Sequence, residues 1–257
     1  MNFGLGTWQN KEGTCTKSVE TAIELGYRHI DTAQIYENEE EVGKGLKNAK
    51  IDREEIFLAS KVWIDQLSSE EVISSTEESL DKLKTNYIDL MYVHWPAGDY
   101  NPEESLESLK KLKDRDLINK IGVSNFEPSH LKQALEIVNV YANQVEMHPL
   151  LPQEELREFC ESNDVELVAY SPLARGKVFD VEEIQEVAEK HNVSEAQVSL
   201  AWIMEKGVTP IPKASSREHL QDNFKSLSLK LNEEDIEKID SINRRERMVD
   251  PDFAPWR

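Results

Sequence analysis

Three apolar runs of this 257-residue chain carry an ionisable side chain at or near their end. They are HIDTA with Asp31, FLASK with Lys61 and LMYVH with His94. A charge placed where a buried run stops needs a partner or a job, because desolvating it is costly. A carboxylate, an ammonium and an imidazole brought to one place are the materials of proton transfer. Other polar or aromatic residues stand where further apolar runs stop: Trp8, Ser124, Asn125, Gln144, Glu146, His148, Tyr170, Ser171 and Lys213. Asp31, His94, Glu146 and His148 are also metal-ligand types, which raises a metal-dependent barrel enzyme as a competing reading. No HxH or HExxH spacing supports it, and no metal is expected.

These residues are held by a repeating order of elements. Strands are predicted at Phe3–Trp8, Arg28–Thr32, Ile56–Val62, Ile88–His94, Asn119–Ser124, Ala142–Met147, Glu166–Ser171 and Thr209–Lys213. Runs as apolar as IDLMYVHW suit parallel strands covered on both faces. Helices are predicted at Thr16–Leu25, stopped by Gly26, and at Ser69–Leu83, preceded by Ser68 as N-cap. Pro102–Arg115, Glu127–Val138, Glu154–Ser162, Val181–His191, Ser216–Asn223 and Glu233–Ile242 follow. Strand then helix, about eight times, predicts a single-domain (β/α)8 TIM barrel spanning residues 1–257. A doubly wound Rossmann sheet would need a Gly-rich turn opening a helix, and Gly4-Leu5-Gly6 lacks the third glycine. In a barrel, polar residues at the C-terminal strand ends form the active site.

Composition narrows the partners. Hydrophobic residues at 39% and charged residues at 31% are those of a globular chain. A formal charge of −20 makes nucleic acid and anionic membranes poor partners. No run of about 18 apolar residues predicts a membrane span. Cys15 and Cys160 form no disulfide framework, and MNFGLGTWQN lacks the features of a signal peptide, so a cytoplasmic protein is expected. A monomer, or at most weak association, is expected as well.

The stretch from Gly26 to Glu39, GYRHIDTAQIYENE, resembles the signature of the aldo-keto reductase family. FLASKVW, LMYVHWP, IGVSNF, NQVEMHP, AYSPL and PIPKA match further segments of that family in order, over essentially the whole chain. The resemblance extends to the NADP-dependent aldehyde and carbonyl reductases and to 2,5-diketo-gluconate reductases. It implies a nicotinamide cofactor, NADP(H) or NAD(H), bound without a Rossmann domain, and hydride transfer to a small aldehyde or ketone. It also implies a tetrad of Asp31, Tyr36, Lys61 and His94. Hydride addition to a carbonyl builds charge on oxygen, which must receive a proton. Tyr36 would supply it, Lys61 would draw its pKa down, Asp31 would orient Lys61, and His94 would bond the substrate oxygen. Some relatives keep the tetrad in nicotinamide-sensing subunits with little turnover, which is the alternative reading.

The same resemblance places Ser124, Asn125 and Gln144 on the nicotinamide carboxamide and Tyr170 against its ring. Ser171 and Leu173 would lie along the pyrophosphate. Lys213 would meet the 2′-phosphate, with Ser215 and His219 nearby, and Asn223 would meet the adenine. Trp8, Trp63 and Trp95 would wall the substrate pocket, with the tail 244–257 and its Phe253 and Trp256 close by. Two positions often held by arginine carry Ser216 and His219 here, with Arg217 between them. NADPH is therefore expected to be preferred over NADH by a reduced margin. The loop Pro172 to Phe179 is short, so the belt over the pyrophosphate is expected to be reduced. The short N-terminal hairpin of many relatives is expected to be absent.

Overall fold

The computed structural model describes residues 3–257. Eight strands run parallel in chain order: β1 (Leu5–Gly6), β2 (His29–Asp31), β3 (Phe57–Val62), β4 (Ile88–Val93), β5 (Ile118–Ser124), β6 (Val140–Glu146), β7 (Glu166–Tyr170) and β8 (Thr209–Pro210). The sheet closes on itself. The Gly4 amide donates to the Pro210 carbonyl at 3.0 Å, the Gly6 amide donates to the Pro212 carbonyl at 3.1 Å, and Gly6 bridges Lys213.

The helices are α1 (Glu12–Leu25), α2 (Glu39–Asn48), α3 (Ser69–Leu83), α4 (Pro102–Asp114), α5 (Pro128–Ile137), α6 (Glu154–Ser162), α7 (Glu182–His191), α8 (Glu195–Glu205), α9 (Arg217–Lys225) and α10 (Glu233–Asp240). Local chemistry sets several of their ends. Gly26 stops α1 with φ 108°, donating its amide to the Ala22 and Ile23 carbonyls. Asn101 caps α4 ahead of Pro102, and Asn232 with Asp235 forms a reciprocal capping box on α10. Ser68 behaves differently from the expected N-cap: its hydroxyl donates to the Glu71 carboxylate instead of accepting an amide.

Two helices were not predicted. In α2, EEEVGKGLKN carries two glycines and only two large apolar residues, Val42 and Leu46. In α8, residues Ala196 to Ile203 are buried all round, so no amphipathic stripe marks it. The end strands are shorter than predicted. Pro210 and Pro212 have no N–H and cannot donate to a ladder, while the Ile211 amide between them donates to the Ala169 carbonyl of β7.

The core has two layers. Inside the barrel, Ala59, Leu90, Tyr92, Ala142, Val168 and Ile211 fill the interior below the strand ends. Outside it, side chains such as Leu58, Met91, Val123 and Val145 pack under the helices. The two-residue alternation of a strand sends neighbours to opposite layers. At the seam, a Cβ on Gly6 would sit 2.8 Å from the Ile211 carbonyl oxygen. Gly6→Ala is expected to cost about 1–3 kcal/mol of stability, read from the urea midpoint, because backbone must move to make room.

Candidate active site

The centre of the site is an ammonium with no access to water. Lys61, on β3, is 0% exposed, and Asp31 at the end of β2 is 2% exposed. Lys61 Nζ donates to Asp31 Oδ1 at 2.5 Å, to the Thr32 carbonyl at 2.7 Å and to the Tyr36 hydroxyl at 3.5 Å. Its three protons thus have three oxygen partners. An ammonium has no lone pair, so the Tyr36 proton cannot point at Lys61 and is left free to face the cavity. Asp31 is held from its other side by Gln144, whose Nε2 donates to Oδ2 at 2.7 Å.

Tyr36 sits on a short helical turn, Gln34–Tyr36, that ends with Glu37 at φ 55°. Two amide side chains fix that turn. Gln34 accepts the Trp63 amide and donates to Ser79, and Asn38 donates to the Thr7 and Asn10 carbonyls while accepting from Thr32. Neither Gln34 nor Asn38 was singled out from the sequence, although both lie inside the motif that carries Tyr36. His94 follows β4 and stands edge-on to Tyr36 and Trp63, with ring centroids 5.8 and 5.1 Å away.

Burial decides the ionisation of this group. It pushes the Tyr36 phenol well above its ordinary value, aided by the Asp31 charge, and pushes His94 well below its own. The direction for Tyr36 is therefore upward, set by burial and the Asp31 charge, where the sequence reading expected Lys61 to draw it down. Burial also raises Asp31 and lowers Lys61, each opposed by attraction to the other.

A cavity of about 470 Å³ opens above these residues at the C-terminal strand ends. Asp31, Tyr36, His94, Asn125, Gln144, Tyr170, Ser171, Lys213, Trp8, Trp63 and Trp95 all line it. Ser124 lies just beneath, donating to the Gln144 carbonyl and accepting from Asn125. Asn125 takes φ 63°, its side chain donates to the His94 carbonyl, and it accepts the Tyr170 hydroxyl at 2.7 Å. Leu173, Ser215, His219 and Asn223 are not among the lining residues. Leu173 packs on the hydrophobic core, and His219 and Asn223 belong to α9.

The model of the Aldo/keto reductase family matches residues 1–244. The chain is 42% identical to glyoxal reductase of Bacillus subtilis over 249 residues, covering 96% of this chain and 90% of that protein. It is 39% identical to methylglyoxal reductase DkgB of Escherichia coli O157:H7, covering 98% and 97%. Its fold superposes with TM-score 0.93 on MGS-M4, an aldo-keto reductase enzyme from a Medee basin deep-sea metagenome library, at 34% identity and 98% and 94% coverage. The chain belongs to the aldo/keto reductase family. It is an NAD(P)H-dependent oxidoreductase, and no helix among the described residues is long and apolar enough to cross a membrane.

Several features distinguish this aldo/keto reductase. Arg217 does not turn toward Lys213; it pairs through two bonds with Glu24 of α1. Ser216 is spent as the N-cap of α9, accepting the His219 amide. The loop after β7 is short but not idle: Arg175, at φ 51°, lays its guanidinium 4.9 Å from the Trp8 ring centroid across the cavity. The tail supplies one wall, through Met248, Val249, Asp250, Pro251 and Phe253. Phe253 packs edge-on against Trp63 and Trp95, while Trp256 backs Trp95 without lining the cavity. Glu146 and His148 pair with each other at 2.9 Å and not with Asp31 or His94, so the four residues of the metal reading do not converge.

Tyr36 stays protonated as pH rises through the ordinary phenol range, and His94 stays neutral as pH falls through the ordinary imidazole range. The rate of carbonyl reduction is therefore expected to be flat between about pH 6 and 9. A limb with an imidazole-like midpoint that disappears in His94→Gln would contradict this.

Proposed function

We propose that this reductase converts small aldehydes and reactive dicarbonyls to alcohols, with Tyr36 as the proton donor and NADPH as the preferred cofactor. The observation that carries the reading is the fully engaged Lys61 side chain beneath a phenol that lines the cavity and accepts from Lys61, which leaves the phenolic proton for a substrate. The donors around the cavity suit a nicotinamide cofactor. Ser124, Asn125 and Gln144 offer amide and hydroxyl partners for a carboxamide, the Tyr170 ring offers a flat face, and Lys213 offers a cation for a phosphate. The bound cofactor supplies the hydride.

The protein's own steps are electrostatic and positional. His94, neutral, donates a hydrogen bond that orients the substrate oxygen. As negative charge grows on that oxygen, Tyr36 passes it the phenolic proton. The phenolate left behind faces the Lys61 ammonium, which is already charged and already in place, so no solvent need reorganise. Asp31 keeps Lys61 charged and aimed. Trp8, Trp63, Trp95 and Phe253 exclude water and favour flat or apolar carbonyl compounds.

The names of the relatives, glyoxal reductase and methylglyoxal reductase, support two- and three-carbon dicarbonyls as substrates. NADPH preference rests on Lys213, since Arg217 is engaged by Glu24. The margin over NADH is accordingly modest.

Tyr36→Phe is expected to lower kcat about 10²–10⁴-fold with methylglyoxal while NADPH binding, followed by tryptophan fluorescence, is retained. Persistent turnover in this variant would remove Tyr36 as the acid. Lys213→Ala is expected to weaken NADPH binding about tenfold and leave NADH binding unchanged. Equal loss for both cofactors would assign Lys213 elsewhere.

A further inference from the structure

The tetrad does not use the most deeply buried carboxylate at the strand ends. Glu146, the last residue of β6, is 0% exposed. Its Oε1 accepts the Met248 amide at 2.6 Å and meets His148 Nε2 at 2.9 Å. Its Oε2 accepts the Val249 amide at 2.9 Å. The Gln153 side chain donates to its backbone carbonyl at 2.8 Å. Those two amides belong to a segment with no helix or strand of its own. The same segment builds the cavity wall through Met248, Val249, Asp250, Pro251 and Phe253.

We propose that Glu146 is the positioning residue that ties this C-terminal wall to the barrel and thereby sets which carbonyl compounds the cavity accepts. The proposal rests on the carbonyl-reductase reading above. Beyond Glu146, the polar contacts of the segment are internal, and its contacts with the barrel are apolar, with Met248 packed on the core. Asp250 accepts from Arg257 and from the Trp256 indole, and Phe253 and Trp256 lean on Trp63 and Trp95. A carboxylate suits the task because it is acceptor-only and meets three donors at once. Glutamine of the same shape would turn an NH₂ toward one of those donors. Loosening the wall alters the grip on a substrate large enough to touch it. A small dicarbonyl held at Tyr36 and His94 does not depend on it. The chemical step is untouched, because no tetrad atom bonds Glu146.

The test compares Glu146→Gln with the unchanged full-length chain. Hydrogen exchange at the Met248 and Val249 amides is expected to accelerate at least about tenfold in the variant. KM for a bulky aromatic aldehyde is expected to rise about 5–10-fold with kcat retained, while KM for glyoxal moves less than about twofold. Unchanged amide exchange overturns the anchor. Equal KM shifts for both substrates overturn the specificity role. If Glu146→Gln does not fold, Glu146→Asp, which keeps the charge and shortens the reach, carries the same comparison. A wild-type chain without turnover would sink the reductase reading, and the exchange measurement would still decide the anchor.

Discussion

Everything at this active site depends on keeping one ammonium charged where water cannot reach it. Taking an ammonium out of water costs several kcal/mol even after the protein relaxes. Lys61 recovers that through Asp31, the Thr32 carbonyl and the Tyr36 hydroxyl. The arrangement is all-or-none: removing Asp31 would leave an uncompensated buried charge, a loss of about 3–5 kcal/mol in comparable pairs. The same interaction that stabilises the ion pair also fixes the direction of the Tyr36 proton. On the proposed reading, stability and reactivity share one set of contacts.

The barrel is what makes that sharing possible. Asp31, Lys61 and His94 come from three adjacent parallel strands, β2, β3 and β4, whose register pairs Asp31 with Ala59 and Lys61 with Tyr92. Parallel strands bring their carboxyl ends to one rim, so groups some thirty residues apart in sequence become neighbours without any local motif. Tyr36 is the exception, because it comes from a turn and not a strand. It needs Gln34 and Asn38 to be held as firmly as the others.

How much of this was legible followed a physical rule. Asp31, Lys61 and His94 were visible because an ionisable group closing an apolar run is anomalous, and anomalies show in a sequence. Strand order was visible for the same reason, through long apolar runs such as that ending at His94. Helix α8 was invisible because burial on every side erases the 3.6-residue stripe, and α2 because two glycines and a run of glutamates mask it. The partner of Arg217 was invisible because Glu24 lies far away in sequence, and an exposed arginine's direction is set by the surface around it. Glu146 was seen as a strand-end acid, but its amide partners lie about a hundred residues on, where no periodicity points back. The direction of the Tyr36 shift was misjudged for a different reason. Sequence shows which charges are near, but not how much of a partly buried side chain the surrounding protein removes from water.

The closure of the barrel has a consequence of another kind. Between β8 and β1 the wall is stitched by the Gly4 and Gly6 amides, and the two prolines opposite offer nothing in return. Spontaneous local opening of a folded protein begins where backbone bonds are fewest. By that rule the seam, where Gly6 bridges Lys213, is a stretch of wall suited to early opening, while Lys61 stands on β3, which is paired with a strand on either side.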